Sequence, residues 1–395
     1  MKGRVILIDM PKKRASQAAL LVDGRLEDLL LDPPKGDTTP APGEIYWAKV
    51  DRLVPKMGGA FVKLTPDQGG FLREAKRLKE GHGALVQVTS YPEQGKATPV
   101  TRRILYKGRR VIHTPGAPGT NVSRQIRDEA ERARLTDIVE TALAEEDPNT
   151  ENQASGFIIR TAAHGAPERE IMREVGATLA DRHLCEAARK DAPPAGRSLH
   201  SEPAFRIAVR EWTASLPDRL VVHKRHHRAM RADEEWEDGP MAGLLAANSS
   251  DIRDMAEPFD GPDLFDHYGV WDEIERLKSP RADLPSGAWM AVEATRAMVT
   301  VDVNTAGEFG GGAALTANLE AARELPRQLR LRGFGGQVIV DFAPLRKSDR
   351  KRIEEALKTA FRRDPIETSL AGWTPLGNFE LQRKRERRPL SELLP

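Results

Sequence analysis

The chain reads as an α+β protein of more than one domain, and three features say so. At 395 residues it exceeds what one hydrophobic core sustains, since domains run to about 100–200 residues each. Between Glu44 and Tyr91, the short segments EIYWAKVDRLV, GGAFVKL, GGFL and ALVQVTSY alternate with turns, at the spacing of a small antiparallel barrel. From Met298 onward, strand, helix and strand follow in the order of a βαβ unit, whose strands are expected to be parallel and adjacent.

Taken in order, GRVILI (3–8) and AALLV (18–22) are apolar runs of strand length, with LEDLLLD following. PPKGDTTPAPGE (Pro33–Glu44) is a Pro- and Gly-rich break, a natural domain junction. Residues 123–145 read as a polar amphipathic helix that ends before EEDPNTENQ. GFIIRTAAHG (Gly156–Gly165) is a short apolar strand ending in Arg160 and Thr161. A helix from about Pro167 to Lys190 is closed by the linker DAPPAG, and residues 202–280 look mixed. GAWMAVEAT and AMVTVDVN are two strands joined by a tight connection. TANLEAARELPRQLRLRG is helical, with Leu319, Ala322, Pro326 and Leu329 on one stripe and Gly333 as its C-cap. Pro326 removes a helix hydrogen bond and is expected to kink or restart that helix. GQVIVDFA is a buried strand ending in Asp341. SDRKRIEEALKTAFRRD is a helix expected to be capped by Ser348, with Ile353, Leu357 and Phe361 inward.

Hydrophobic residues at 39% and charged residues at 30% fit a soluble globular protein. The net charge of +2 does not argue for nucleic acid, but its distribution does. VTRRILYKGRRV (Val100–Val111), VVHKRHHRAMR (Val221–Arg231) and LQRKRERRPL are densely basic, while TALAEEDP and RADEEWEDGP are acidic. Separated basic runs can build one phosphate-facing surface; each run can equally be the solvated face of an ordinary element. Cys185 is the only cysteine, so the chain holds neither an internal disulfide nor a Cys-rich zinc site, as suits a reducing cytosol. HKRHHR (His223–Arg228) has no acids in register to complete a zinc site. No run approaches the ~20 apolar residues of a membrane span, and the opening MKGRVILIDMPKKRASQ is interrupted too early for a signal peptide. A cytoplasmic location is the expectation.

The chemistry concentrates in MVTVDVNTA (Met298–Ala306). Apolar residues alternate as in a half-buried strand, yet Asp302 and Asn304 share one face although neither residue favours strands. Asp341 ends the next strand of the βαβ unit. Neighbouring strands lie about 4.8 Å apart, so the two carboxylates can share one cation. Mg²⁺ prefers one or two carboxylates, water and substrate phosphate to an all-protein cage. Two aspartates and an amide beside basic segments are what metal-assisted phosphodiester cleavage requires. Two unrelated strand-end acids remain the plain alternative. Gly-Gly shortly precedes Phe61 and Phe71 on the barrel; exposed aromatics there are platforms for single-stranded bases, whereas inward ones are barrel core.

TVDVNTA, NLEAARELPRQLRLRGFGGQVIVDF and PLGNFELQRKR resemble the catalytic region of the ribonuclease E/G family of bacterial endoribonucleases. GEIYWAKVDRLVPKMGGAFVKL and GGFL are similar to that family's S1 domain, and GFIIRTAA to its sensor of RNA 5′ ends. The resemblance implies an S1 (OB-fold) barrel at 36–115 and a 5′ sensor at 116–204, both inserted in an RNase H-like scaffold formed by 1–35 and 205–280. A DNase I-like α/β catalytic subdomain would follow at 281–395. It implies a Mg²⁺-dependent cut of single-stranded RNA to 5′-phosphate and 3′-hydroxyl ends, in ribosomal and messenger RNA processing and decay, with Mn²⁺ as an alternative ion. Asp302 and Asp341 would ligate the ion and Asn304 would orient water or the scissile phosphate. Arg160 and Thr161 would grip a 5′-monophosphate, and Phe61, Phe71, Lys96, Arg383 and Arg385 would contact RNA. The Cys-based zinc link of the long family members has no counterpart before the closing LSELLP, so no zinc is expected and any homo-oligomer would form without it. Arg296 stands where the family usually has an acid, and GEFGGGAAL is unusually Gly-rich. A non-catalytic RNA-binding protein that retains the scaffold is the competing reading.

Overall fold

A computed structural model of the chain describes residues 2–9, 16–146, 155–190, 197–223, 250–305, 307 and 311–394. The sequence features at 10–15, EEDPNTENQ beyond Glu146, DAPPAG, most of HKRHHR, RADEEWEDGP and part of GEFGGGAAL lie outside them. The chain divides into two compact units. One contains 1–25, 30–89 and 97–264; the other contains 26–29, 90–96 and 265–395.

The first unit starts with β1 (Arg4–Asp9) and β2 (Gln17–Val22), and the strand after them, β3 (Arg25–Leu31), has residues 26–29 in the other unit. Five strands then form a barrel: β4 (Ile45–Val54), β5 (Gly59–Lys63), β6 (Gly69–Leu72), β7 (Gly83–Val88) and β8 (Thr98–Thr101). Their order is β4-β5-β6-β8-β7, and β7 pairs back onto β4, so the barrel closes; among the described residues only β4 accepts an outside strand. Alternation along each strand sends Ala48, Val50, Ala60, Val62, Leu72, Val86 and Val100 into its core. A mixed sheet follows, from β9 (Tyr106–Lys107), β10 (Val111–Pro115), β11 (Gly119–Val122) and, after α1 (Glu129–Glu146), β12 (Ser155–Ile159). Helices α1 and α2 (Glu168–Lys190) pack on it through Leu135, Val139, Ile171 and Val175. Helix α1 begins at Glu129 and not at 123, because residues 123–126 turn beside Thr161: Ser123 N–H donates to the Ile159 carbonyl. After β13 (Arg197–His200), which lies along β4, and α3 (Ala204–Trp212), β14 (Arg219–His223) and β15 (Ala256–Phe259) return to the first sheet. Its order is β15-β14-β1-β2-β3, with β14 parallel to β1. The barrel and the second sheet are thus insertions between strands of one sheet.

The second unit contains α4 (Val270–Lys278), β16 (Arg281–Asp283), β17 (Trp289–Ala294), β18 (Val299–Asn304), α5 (Gly311–Leu331), β19 (Gly336–Asp341), α6 (Arg350–Arg363), β20 (Thr368–Trp373) and β21 (Phe379–Arg383). The sheet order is β16-β17-β18-β19-β21-β20, with β18 and β19 the parallel pair. One face is the core, where Met290, Val292, Val301, Val303, Val338 and Val340 meet Ala322, Leu325 and Leu329 of α5 and Ile353 and Leu357 of α6. Helix α5 runs through Pro326 without restarting: Leu325 and Leu329 beside it are buried in the core, and that packing outweighs one lost hydrogen bond. It ends in a Schellman turn, in which Phe334 N–H donates to the Leu329 carbonyl (2.8 Å) and Gly333 N–H to Arg330 (3.2 Å). Gly333 has φ +70°, and a Cβ there would strike the Arg388 carbonyl. Ser348 does not cap α6; it sits in a 3₁₀ turn, and Asp349 holds the cap position with no side-chain bond.

The basic C-terminal run is half-buried, and at Arg383 it is internal. Arg383 is fully buried, its Nη2 2.9 Å from Asp364 and its Nη1 donating to Thr368 Oγ1 (3.0 Å). Asp364 also pairs with Arg330, which reaches Glu27 at 2.5 Å, while Arg387 donates to the Leu29 carbonyl at 2.7 Å. Burial pulls the Arg383 guanidinium below its ordinary pKa, and Asp364 opposes that shift. Asp364→Ala would leave two buried guanidinium groups without their shared carboxylate, a change that costs about 3–5 kcal/mol. Urea unfolding of the variant is expected to show that loss, and an unchanged midpoint would mean the network contributes nothing.

Candidate active site

Strands β18 and β19 bring the predicted acids together. In their parallel register Asp302 lies directly beside Asp341, as Val301 lies beside Val340. Val301, Val303, Val340 and Phe342 are buried, so the period of two turns both carboxylates to the opposite, open face, where both are exposed. Asn304 follows on that face and its Nδ2 donates to Asp302 Oδ2 at 2.8 Å, which fixes the carboxylate's orientation.

Among the described residues no group of three or more His, Cys, Asp or Glu is placed to hold a metal. What this face offers an ion is the pair of carboxylates, Asp302 and Asp341, both hard oxygen donors. Such a pair would suit a hydrated Mg²⁺ or Mn²⁺, which keeps most of its shell for water and phosphate.

Asp341 is held from behind by a residue the sequence reading missed. Asn318, on α5 and wholly buried, donates Nδ2 to the Ala343 carbonyl (2.8 Å) and accepts the Ala343 N–H on Oδ1 (2.9 Å). Two residues after Asp341, the chain is clamped to the crossover helix. A polar residue in an otherwise apolar helical stripe was the available signal.

The remaining candidates fall in several places. Phe61 and Phe71 are paired in register on β5 and β6, with ring centroids 5.2 Å apart, on the outer face of the barrel and not in its core. Arg52 stacks on Phe61 at 5.1 Å. Gly59 has no room for a Cβ because Phe71 Cζ lies 2.7 Å from where it would sit. Lys96 is exposed and bridged to Glu93 at 2.5 Å. Arg385 is half-buried, its carbonyl accepting the Tyr91 N–H at 2.7 Å and its Nη1 donating to Gly335. Arg383 is removed from the RNA-contacting set, because its side chain has no exposed surface. Arg109 and Arg110 of the first basic run are buried too, Arg110 against Glu170 at 2.7 Å and near Glu174.

Arg160 and Thr161 stand at the end of β12. Thr161 Oγ1 lies 3.0 Å from Ser123 Oγ and donates to Gln125 Oε1 (3.1 Å). Arg132 braces the same loop by donating to the carbonyls of Ser123 and Ile126, each at 3.0 Å. The Arg160 guanidinium is already engaged, Nη1 with the Gly108 carbonyl (2.9 Å) and Nη2 with Glu211 (2.5 Å). Burial alone would raise the Glu211 pKa, but Arg210 and Arg160 outweigh it and hold the carboxyl at about 2. It is therefore an anion at neutral pH. Glu211 lay in the mixed region of the sequence and gave no signal there.

Comparison with known proteins adds the lineage. The family model described as "Ribonuclease E/G family" matches residues 106–386. The "Ribonuclease G" of Escherichia coli (strain K12) is 31% identical over 386 residues, covering 89% of this chain and 74% of that protein. The "Ribonuclease G" of Salmonella typhimurium (strain SL1344) is 30% identical, with the same coverage. The "Ribonuclease E" of Nostoc sp. (strain PCC 7120) is 30% identical over 89% of this chain and 52% of its own length.

The Asn318 clamp is directly testable. Asn318→Ala leaves the Ala343 N–H and carbonyl unpaired in a buried place, which costs about 1–3 kcal/mol. Chemical denaturation is expected to register that loss, together with faster hydrogen exchange at the Ala343 amide; normal protection there would show that Asn318 does not hold the strand end.

Proposed function

The chain belongs to the ribonuclease E/G family, whose named relatives support an endoribonuclease role, and from that premise we propose a Mg²⁺-dependent endoribonuclease acting on single-stranded RNA. The observation that carries this reading is the register of β18 and β19, which sets Asp302 and Asp341 side by side on an open face. Asp302 and Asp341 would hold the ion. When bound, the ion supplies a lowered pKa for water and a counter-charge for the phosphate. Asn304, tied to Asp302, limits that carboxylate to one orientation and presents its amide beside the site. Hydrolysis by water with the 3′ oxygen as leaving group gives 5′-phosphate and 3′-hydroxyl ends.

The closed barrel is the S1 domain in this reading, with Phe61 and Phe71 as its base-stacking surface and Lys96 and Arg385 as cations near RNA. The interrupted sheet of β1–β3, β14 and β15 serves as the RNase H-like scaffold, and the β16–β21 sheet with its helices as the DNase I-like subdomain. Arg160 and Thr161 form the 5′-monophosphate sensor, in a protein that works in the cytoplasm on ribosomal and messenger transcripts. Because the Glu211 carboxylate already occupies the Arg160 fork, a terminal phosphate must compete with it.

Two experiments follow. Wild-type protein is expected to cut a single-stranded oligoribonucleotide with Mg²⁺ and not with EDTA, and Asp302→Asn to lose at least about 100-fold in kcat/KM, a typical weight for a group acting on the transition state. RNA binding without cleavage under any metal condition would favour the non-catalytic alternative. Glu211→Gln frees Arg160 and is expected to raise the preference for 5′-monophosphate over 5′-hydroxyl RNA several-fold, whereas Arg160→Ala abolishes it; equal effects of both variants on both substrates would reject the sensor assignment.

A further inference from the structure

The open face that carries Asp302 and Asp341 also carries an aromatic residue that the reading above does not use. In the antiparallel pair β17–β18, Ala291 lies directly across from Asp302 and Trp289 directly across from Asn304. Residues so paired project from one face, with Cβ atoms about 4.5–5.5 Å apart. Met290 and Val292, which alternate with them, point into the core; Trp289 is half-buried and stands outside that cluster. Asp302 is exposed beside the small Ala291, and Trp289 is the next residue of β17 on that face.

Arg281 contacts the indole, and the turn before Trp289 is pinned separately. Arg281 on β16 places its guanidinium 4.8 Å from the Trp289 ring centroid and is itself bridged to Asp283 at 2.7 Å. The turn that leads into Trp289 is pinned to helix α5: Ser286 donates from its backbone N–H (3.1 Å) and from Oγ (2.7 Å) to Glu320 Oε2. The Leu284 N–H donates to the Ala288 carbonyl at 2.8 Å and closes the hairpin.

A tryptophan on the polar face of a sheet, one residue pair away from two exposed carboxylates, has no packing role in the core. Its π face suits an unpaired nucleobase of any identity. We propose that Trp289, braced by Arg281, is the stacking platform for the nucleobase next to the phosphodiester presented to Asp302 and Asp341. This rests on the nuclease reading. It makes the site of chemistry itself selective for single strands, because a base in a duplex is already stacked on both sides and cannot reach the indole without unpairing.

The test uses the whole chain and single-stranded oligoribonucleotides made abasic at one position at a time around the cut. Wild type is expected to lose about tenfold in kcat/KM at one position adjacent to the scissile bond, mainly through KM, by the usual weight of a base–aromatic stack. Trp289→Ala is expected to lose the same factor on intact RNA and to become indifferent to the abasic site at that position. Trp289→Phe is expected to recover most of both effects. If Trp289→Ala keeps the wild-type sensitivity to every abasic position, the platform is refuted. A binding arm separates this from failure of the nuclease reading: in EDTA, RNA carrying 2-aminopurine at the same position is expected to be quenched by wild type and not by Trp289→Ala. Quenching without any cleavage would sink the nuclease reading and keep the base site; equal quenching by both proteins would sink the base site.

Discussion

Everything at the candidate site depends on how β18 and β19 are aligned. Parallel strands cannot be joined by a tight turn, so their register is set at a distance, by a crossover helix and by which side chains must be buried. Here α5 supplies the crossover, and its apolar stripe is buried against Val301, Val338 and Val340. A slip of one residue would send those valines to solvent and one aspartate into the core. The carboxylate pair is therefore a by-product of core packing, and Asn318 adds a polar clamp where the apolar contacts end.

The open face and the packed face of that sheet have opposite duties. On the packed side, large apolar residues fix the backbone. On the open side, Asp302, Asn304 and Asp341 share space with a small alanine and a braced tryptophan. Packing on one side fixes the positions of the side chains on the other.

The arginines show how poorly linear charge reports on function. Dense basic runs look like surfaces made for phosphate, yet Arg109, Arg110 and Arg383 are buried, with Arg110 and Arg383 paired to carboxylates. Guanidinium forks serve internal cross-links as readily as ligands, because each can satisfy several acceptors at once. Even Arg160, at the end of a strand and partly exposed, is shared with Glu211, so its response to an outside anion is a competition.

Much of this was legible in one dimension. Alternation and turn residues located the barrel strands, the βαβ unit and the C-cap at Gly333, and placed Asp302, Asn304 and Asp341 at strand ends, because these are properties of period and local backbone sterics. The family resemblance was likewise carried by contiguous motifs. What the chain could not show in one dimension was partnership across elements. The burial of Arg383 was decided by Asp364, the engagement of Arg160 by Glu211, the outward turn of Phe61 and Phe71 by barrel closure, and the continuity of α5 through Pro326 by the core beneath it. The Ser348 cap failed for a similar reason, as the entry to α6 tightened into a 3₁₀ turn. Periodicity fixes which face a side chain takes within its own element; only packing fixes what that face meets, and charge, exposure and orientation follow from the meeting.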